Sequence, residues 1–158
     1  MNVSVVPLLL APLLWIPAPA LGQAHPLTKS DFALADVAEG TDSATVRRRL
    51  GRPDSVLAAK NSLDYPSELI TWTYGRLTVD FFSSEHVVGL TTTDSTVATP
   101  RGLRVGDSVA RLKQLYGEPA GSYEDDWDYE DPAQRLHVMR VTVRNGHVAR
   151  IYLGYIVD

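Results

Sequence analysis

No cysteine occurs among the 158 residues, which removes disulfides, thiolate zinc sites, a cysteine nucleophile and a lipid-modified N-terminal cysteine. Positive charge is scarce as well. The 15 Lys and Arg face 19 Asp and Glu, for a net charge of -4, whereas a nucleic-acid-binding chain is normally basic. The apolar run at 5–16 (VVPLLLAPLLWI) is shorter than the ~20 residues needed to span a bilayer and is interrupted by Pro7 and Pro12. A Gly-x-Ser-x-Gly nucleophile elbow is missing, and so is a glycine-rich phosphate loop. Ser, His and Asp are all present, but nothing in their spacing assembles a catalytic group, and the chain is expected not to be an enzyme.

Residues 1–24 carry no charge, and Gly22 and Ala24 fit the −3 and −1 positions of a secretory cleavage site. A signal peptide over 1–24 is therefore expected, which makes the product periplasmic or secreted. An uncleaved anchor using the uncharged stretch 3–22 is the alternative, and no Lys or Arg precedes the apolar run. Residues 25–30 read as a flexible lead-in.

The remainder repeats itself. Gly40, Val46, Leu50, Gly51 and Pro53 line up without a gap against Gly106, Leu112, Tyr116, Gly117 and Pro119. Trp72-Thr-Tyr74 answers Trp127-Asp-Tyr129, and His86-Val-Val-Gly-Leu90 answers His147-Val-Ala-Arg-Ile151. Four landmarks in one order define two tandem units, 31–96 and 97–158, joined by the polar stretch 91–100. In each, an N-cap residue type (Thr41/Asp42, Asp107/Ser108) precedes an i, i+4 apolar pair and a terminating glycine. Alternating segments follow: 70–74, 77–81, 123–129 and 136–143, the last with a phase change near Met139–Arg140 that predicts a bulge. Asn145-Gly146 predicts a hairpin turn, with Ser84-Glu85 in the equivalent place. Residues 31–39 (DFALADVAE) read as an additional short helix. The expected fold is α+β, with two tandem helix–helix–antiparallel-sheet units after the signal peptide.

Candidate site residues are few. His25, His86, His137 and His147 have no second ligand at a metal spacing, so neither a metal nor a cofactor is expected. Residues 124–131 hold six acids in eight positions, and strand alternation sends Glu124, Asp126, Asp128 and Glu130 to the face opposite Trp127 and Tyr129. The D-x-[DN]-x-[DN]-G spacing of a calcium loop is missing. That strip is either a docking surface for a basic partner or a solvated face that protects a sheet edge. Arg47, Arg48, Arg49 and Arg52 form a basic patch on the first helix, either a solvated face or a contact for anionic groups. Trp72, Tyr74, Trp127 and Tyr129 either plug the core or, if exposed, anchor an interface. The partner-binding candidates are thus Trp72, Tyr74, Asp126, Trp127, Asp128 and Tyr129.

The order of a glycine and threonine ahead of a short helix, Val at its centre, Leu-Gly-x-Pro at its end, then Trp-x-Tyr and a hairpin, carried by Gly40, Val46, Leu50-Gly51, Pro53, Trp72 and Tyr74, resembles the SmpA/OmlA (BamE) family. Gly106, Leu112, Tyr116-Gly117, Pro119, Trp127 and Tyr129 carry it again. Tandem copies are similar in architecture to the β-lactamase inhibitor protein. The resemblance implies an extracytoplasmic, non-catalytic module that binds protein, related to envelope or outer-membrane assembly. The alternative it implies is an inhibitor of an extracytoplasmic enzyme. A protein partner is expected and nucleic acid is not. Membrane contact is expected only through a partner or an uncleaved N-terminus.

Overall fold

A computed structural model describes residues 26–60, 68–83 and 85–155 of the chain. The signal peptide expected over 1–24 lies outside the described residues, as do His25 and Ser84.

Helix α1 (Ser43–Leu50) starts at Asp42, whose carboxylate accepts from the Thr45 amide at 2.8 Å. Helix α2 (Val109–Tyr116) starts at Ser108, whose hydroxyl accepts from the Arg111 amide at 3.2 Å. These caps satisfy amide groups that the first turn of a helix leaves unpaired. Both helices stop at a glycine in the same unusual conformation: Gly51 at φ 82°, ψ -155° and Gly117 at φ 79°, ψ -156°. That region is essentially closed to residues with a Cβ.

Among the described residues, ten strands accompany them. Strands β1 (Ala33–Leu34) and β2 (Val37–Ala38) form a small hairpin ahead of α1. Strands β3 (Ser55–Lys60), β4 (Glu68–Tyr74), β5 (Leu77–Phe82) and β6 (His86–Thr92) follow α1 as a meander. After α2 come β7 (Gly121–Tyr123), β8 (Asp126–Asp131), β9 (Gln134–Arg144) and β10 (His147–Tyr155). The last eight form one antiparallel sheet in the order β3-β4-β5-β6-β10-β9-β8-β7. Its seam is β6 against β10, with Leu90 opposite Leu153 and Gly89 opposite Gly154.

This overturns the expected fold class. The chain is mostly β, with one large antiparallel sheet and two short helices, in place of two tandem helix–helix–sheet units. The physical reason lies at the seam. Each four-stranded meander ends on an unpaired strand edge, an unfavourable surface to leave open, and joining the two edges removes both.

The helix expected at 31–39 is also absent. A single 3-10 turn, Lys29–Asp31, leads into the β1–β2 hairpin, and Ala35 and Asp36 both take positive φ (50° and 61°) at its tip. Burial of Phe32, Leu34 and Val37 offsets the cost of two non-glycine residues there. Residues 123–129 do not form one strand either, because Glu124 (φ 52°) turns the chain between β7 and β8. Strand β9 keeps its phase through Met139 and Arg140, and the irregularities sit instead in β10 between Val148 and Arg150 and at Asp80–Phe81 and Glu130–Asp131. The Asn145-Gly146 turn has φ of 51° and 78°, as an Asn-Gly hairpin requires.

Matching contacts recur in the two halves. Gly40 N donates to Val87 O and Gly106 N to Val148 O, both at 2.8 Å. The Tyr74 hydroxyl donates to Gly51 O and the Tyr129 hydroxyl to Gly117 O, both at 3.4 Å. Arg47 lies 5.0 Å above the Trp72 ring, and Lys113 lies 5.4 Å above that of Trp127, a favourable arrangement of a cation over an aromatic face. The hydroxyl and cation–ring contacts hold each helix or its terminal glycine against the same side of the sheet, so the core lies between that side and the helices, with Val46, Leu112, Val79, Phe81, Met139, Val141 and Ile151 at its centre. Leu27, in the segment read as a lead-in, is buried in the same core.

Candidate interaction face

Alternation along each strand sends its other side chains to the opposite face of the sheet. From register, that face carries Thr71, Asp80 and Phe82 from the first half, and Tyr152, Arg140, Thr142, Asp126 and Asp128 from the second. Neither helix packs there, because α1 and α2 are both committed to the Trp72–Tyr129 side.

The charges on this face are largely paired. Arg140 makes a two-pronged contact with Asp128, both distances 2.7 Å, the geometry that gives a guanidinium–carboxylate pair its strength. Asp126 accepts from the Thr142 hydroxyl at 2.5 Å and lies 3.6 Å from Arg150. Hydrogen bonding to Asp128 raises the Arg140 guanidinium above its ordinary value. Beside these pairs an open hollow of about 370 Å3 is lined by Tyr123, Asp125, Asp126, Arg144 and Arg150.

The six residues singled out in the sequence therefore divide between two faces. Trp72 and Tyr129 are buried and Tyr74 and Trp127 half-buried, all on the helix-covered side. Asp126 and Asp128 are half-buried on the uncovered side. Burial raises the hydroxyl pKa of Tyr129 and Tyr74, with the Glu118 charge adding to the rise at Tyr129. The basic patch is engaged in local contacts: besides Arg47 over Trp72, Arg48 donates to the Thr45 hydroxyl at 2.6 Å and Arg49 to the Asp36 carbonyl. His86 and His147 bridge to the residues that cap α1 and α2, and His137 lies 2.9 Å from Glu39. Among the described residues, no three His, Asp or Glu side chains converge as a metal site would require, and no helix is long and apolar enough to cross a membrane.

Sequence reasoning passed over Asp80, Phe82, Tyr152, Gly89 and Gly154. Two glycines inside otherwise apolar strands were a readable signal, since glycine in a strand often marks a close approach. Seeing that they face each other required the β6–β10 register.

The class defined by this arrangement is a one-sheet antiparallel protein with both helices on one face and a broad second face that none of the described residues covers. No protein-family model matches the chain, and no curated protein matches it. Among solved structures, the chain is similar to the uncharacterized protein yfeY from Escherichia coli, with a TM-score of 0.50 and 11% identity, covering 78% of this chain and 97% of that one. At that identity the likeness concerns the fold alone.

Proposed function

We propose that the chain is a non-catalytic interaction module, exported from the cytoplasm, that binds a protein partner through the uncovered face of its sheet. The observation that carries this reading is the one-sided placement of the helices. It leaves a face where Phe82 and Tyr123 are exposed around half-buried Tyr152 and ion pairs already held in place by the strands. Aromatic side chains among prearranged polar groups suit protein recognition, since little ordering cost remains at docking. Export rests on the uncharged segment 1–24 with its apolar run and on Gly22 and Ala24 at its end. Kinship with the SmpA/OmlA domain belongs to the same reading and rests on the repeated Gly…Gly-x-Pro…Trp-x-Tyr order.

Crosslinked affinity capture of the tagged full-length chain from the host envelope tests this. A partner recovered with the wild type should be lost with Phe82→Arg and retained with Arg48→Glu on the helix side. Retention with Phe82→Arg and loss with Arg48→Glu would contradict the assignment. Recovery of one soluble enzyme, with its turnover abolished, would identify the module as an inhibitor.

A further inference from the structure

One row across the uncovered face reads Asp80, Gly89, Gly154, Val138 from β5 through β6 and β10 to β9. Two adjacent glycines at the sheet centre leave a floor without side chains. A Cβ on Gly154 would lie 2.7 Å from the Val88 carbonyl oxygen and 2.8 Å from the Tyr152 hydroxyl, so only glycine permits the observed packing. Tyr152 is fixed from its far end, its hydroxyl donating to the Tyr155 carbonyl at 2.7 Å. The result is a hollow of about 150 Å3 bounded by Asp80, Phe82, Leu69, Val88 and Tyr152 above Gly89.

Asp80 differs from Asp126 and Asp128 on this face. Asp128 and Asp126 each have an arginine, and Arg140 and Arg150 are taken up by them. Asp80 has a hydroxyl, Thr71, donating to one oxygen at 2.6 Å. Its other oxygen overhangs the glycine floor, 3.2 Å from where a Gly89 Cβ would stand. Among the described residues no cation pairs with it. Burial, only partly opposed by the Thr71 hydrogen bond, raises its pKa above the ordinary carboxylate value. A half-buried carboxylate without a counter-charge is costly to keep, and a hollow lined by that carboxylate and by the aromatic side chains of Phe82 and Tyr152 offers an alkylammonium a charged acceptor and aromatic surface.

We infer that the Asp80 hollow is the seat of a lysine side chain presented by the protein partner, with the ammonium on the free Asp80 oxygen and the last methylenes between Phe82 and Tyr152. This rests on the proposed docking through the uncovered face. The hollow is open to solvent and, at about 150 Å3, is of a size to admit the end of a lysine side chain. The complementarity is of charge as well as shape, because the arginines of the face are already occupied.

The test needs no partner, so its failure is distinct from failure of the docking reading. The full-length chain is titrated with Nα-acetyl-lysine methylamide, n-butylammonium, Nα-acetyl-arginine methylamide and uncharged 1-butanol, and binding is followed by amide shifts of Gly89 and Gly154. The lysine amide is expected to shift these resonances saturably and to bind at least as tightly as n-butylammonium. Asp80→Asn should weaken binding about tenfold or more, the loss expected for one charge-assisted contact, with its thermal midpoint equal to or above the wild type. Phe82→Ala, at a half-open wall position, should weaken it severalfold. Equal binding by 1-butanol, preference for the arginine amide, tighter binding of n-butylammonium, or unchanged binding in Asp80→Asn would each overturn the assignment.

Discussion

Asp31 and Arg101 show how much one pair of side chains can hold. The guanidinium meets both carboxylate oxygens at 2.7 Å, donates to the carbonyls of Leu115 and Pro26, and stacks 4.8 Å from the Tyr116 ring. One residue thus joins the segment before β1 to the last turn of α2. Burial works to raise the Asp31 carboxyl, and hydrogen bonds from Arg101 and Thr28 together with the Arg101 charge outweigh it, leaving the group below its ordinary value of 3.8. A carboxyl depressed in the folded state stabilises the fold above its unfolded pKa, and that contribution is lost as pH falls through the folded pKa. Asp31→Asn is expected to cost about 3 kcal/mol at neutral pH, since it removes the carboxylate charge that the largely buried guanidinium meets with two contacts. Urea unfolding at pH 7 and between pH 4 and 2 checks this: the wild type should lose more stability over the acid range than the variant.

At the scale of elements, the ends of the helices are set by single residues. Gly51 and Gly117 occupy backbone conformations that a Cβ disfavours, and no neighbour within 4 Å would meet a Cβ at Gly51, so the cost there is purely conformational. Gly51→Ala and Gly117→Ala should each lower stability by about 1–3 kcal/mol, measured by denaturant midpoint, with near-additivity because the two sites are independent. Such features were legible in the sequence because they are local: Asp42, Ser108, both glycines and Asn145-Gly146 act within a few residues. What was not legible depends on distant partners. Ala35 and Asp36 carry no glycine signal for a turn, and their hairpin exists because the core needs Phe32, Leu34 and Val37. Strands β3 and β7 lie at the sheet edges, and β3 has little alternation to announce it, with Val56 and Leu57 both exposed. The shift at 123–126 from strand to hairpin hinged on Glu124 taking positive φ, an uncommon state for glutamate. As for the candidate site, Asp126 and Asp128 could be placed on one face from alternation, but their arginine partners lie on β9 and β10. The Asp80 hollow depends on strands from both halves and could not be seen before the sheet was assembled.

At the scale of the whole molecule, the seam decides the function proposed. Had the two halves remained separate sheets, each would have offered a narrow face and an open edge. Joined through Leu90–Leu153 and Gly89–Gly154, they present eight strands with helices on one side, and the hollow falls at the centre of the other side. The proposed docking of partners falls on this uncovered face. The most direct measurement places a photocrosslinking amino acid, one position at a time, at Thr78, Phe82 and Thr91 on the uncovered face and at Arg48 and Gln114 on the helix side, in cells of the host. Adducts to one protein from the first three positions and none from the last two are predicted. Adducts confined to Arg48 and Gln114 would contradict the account.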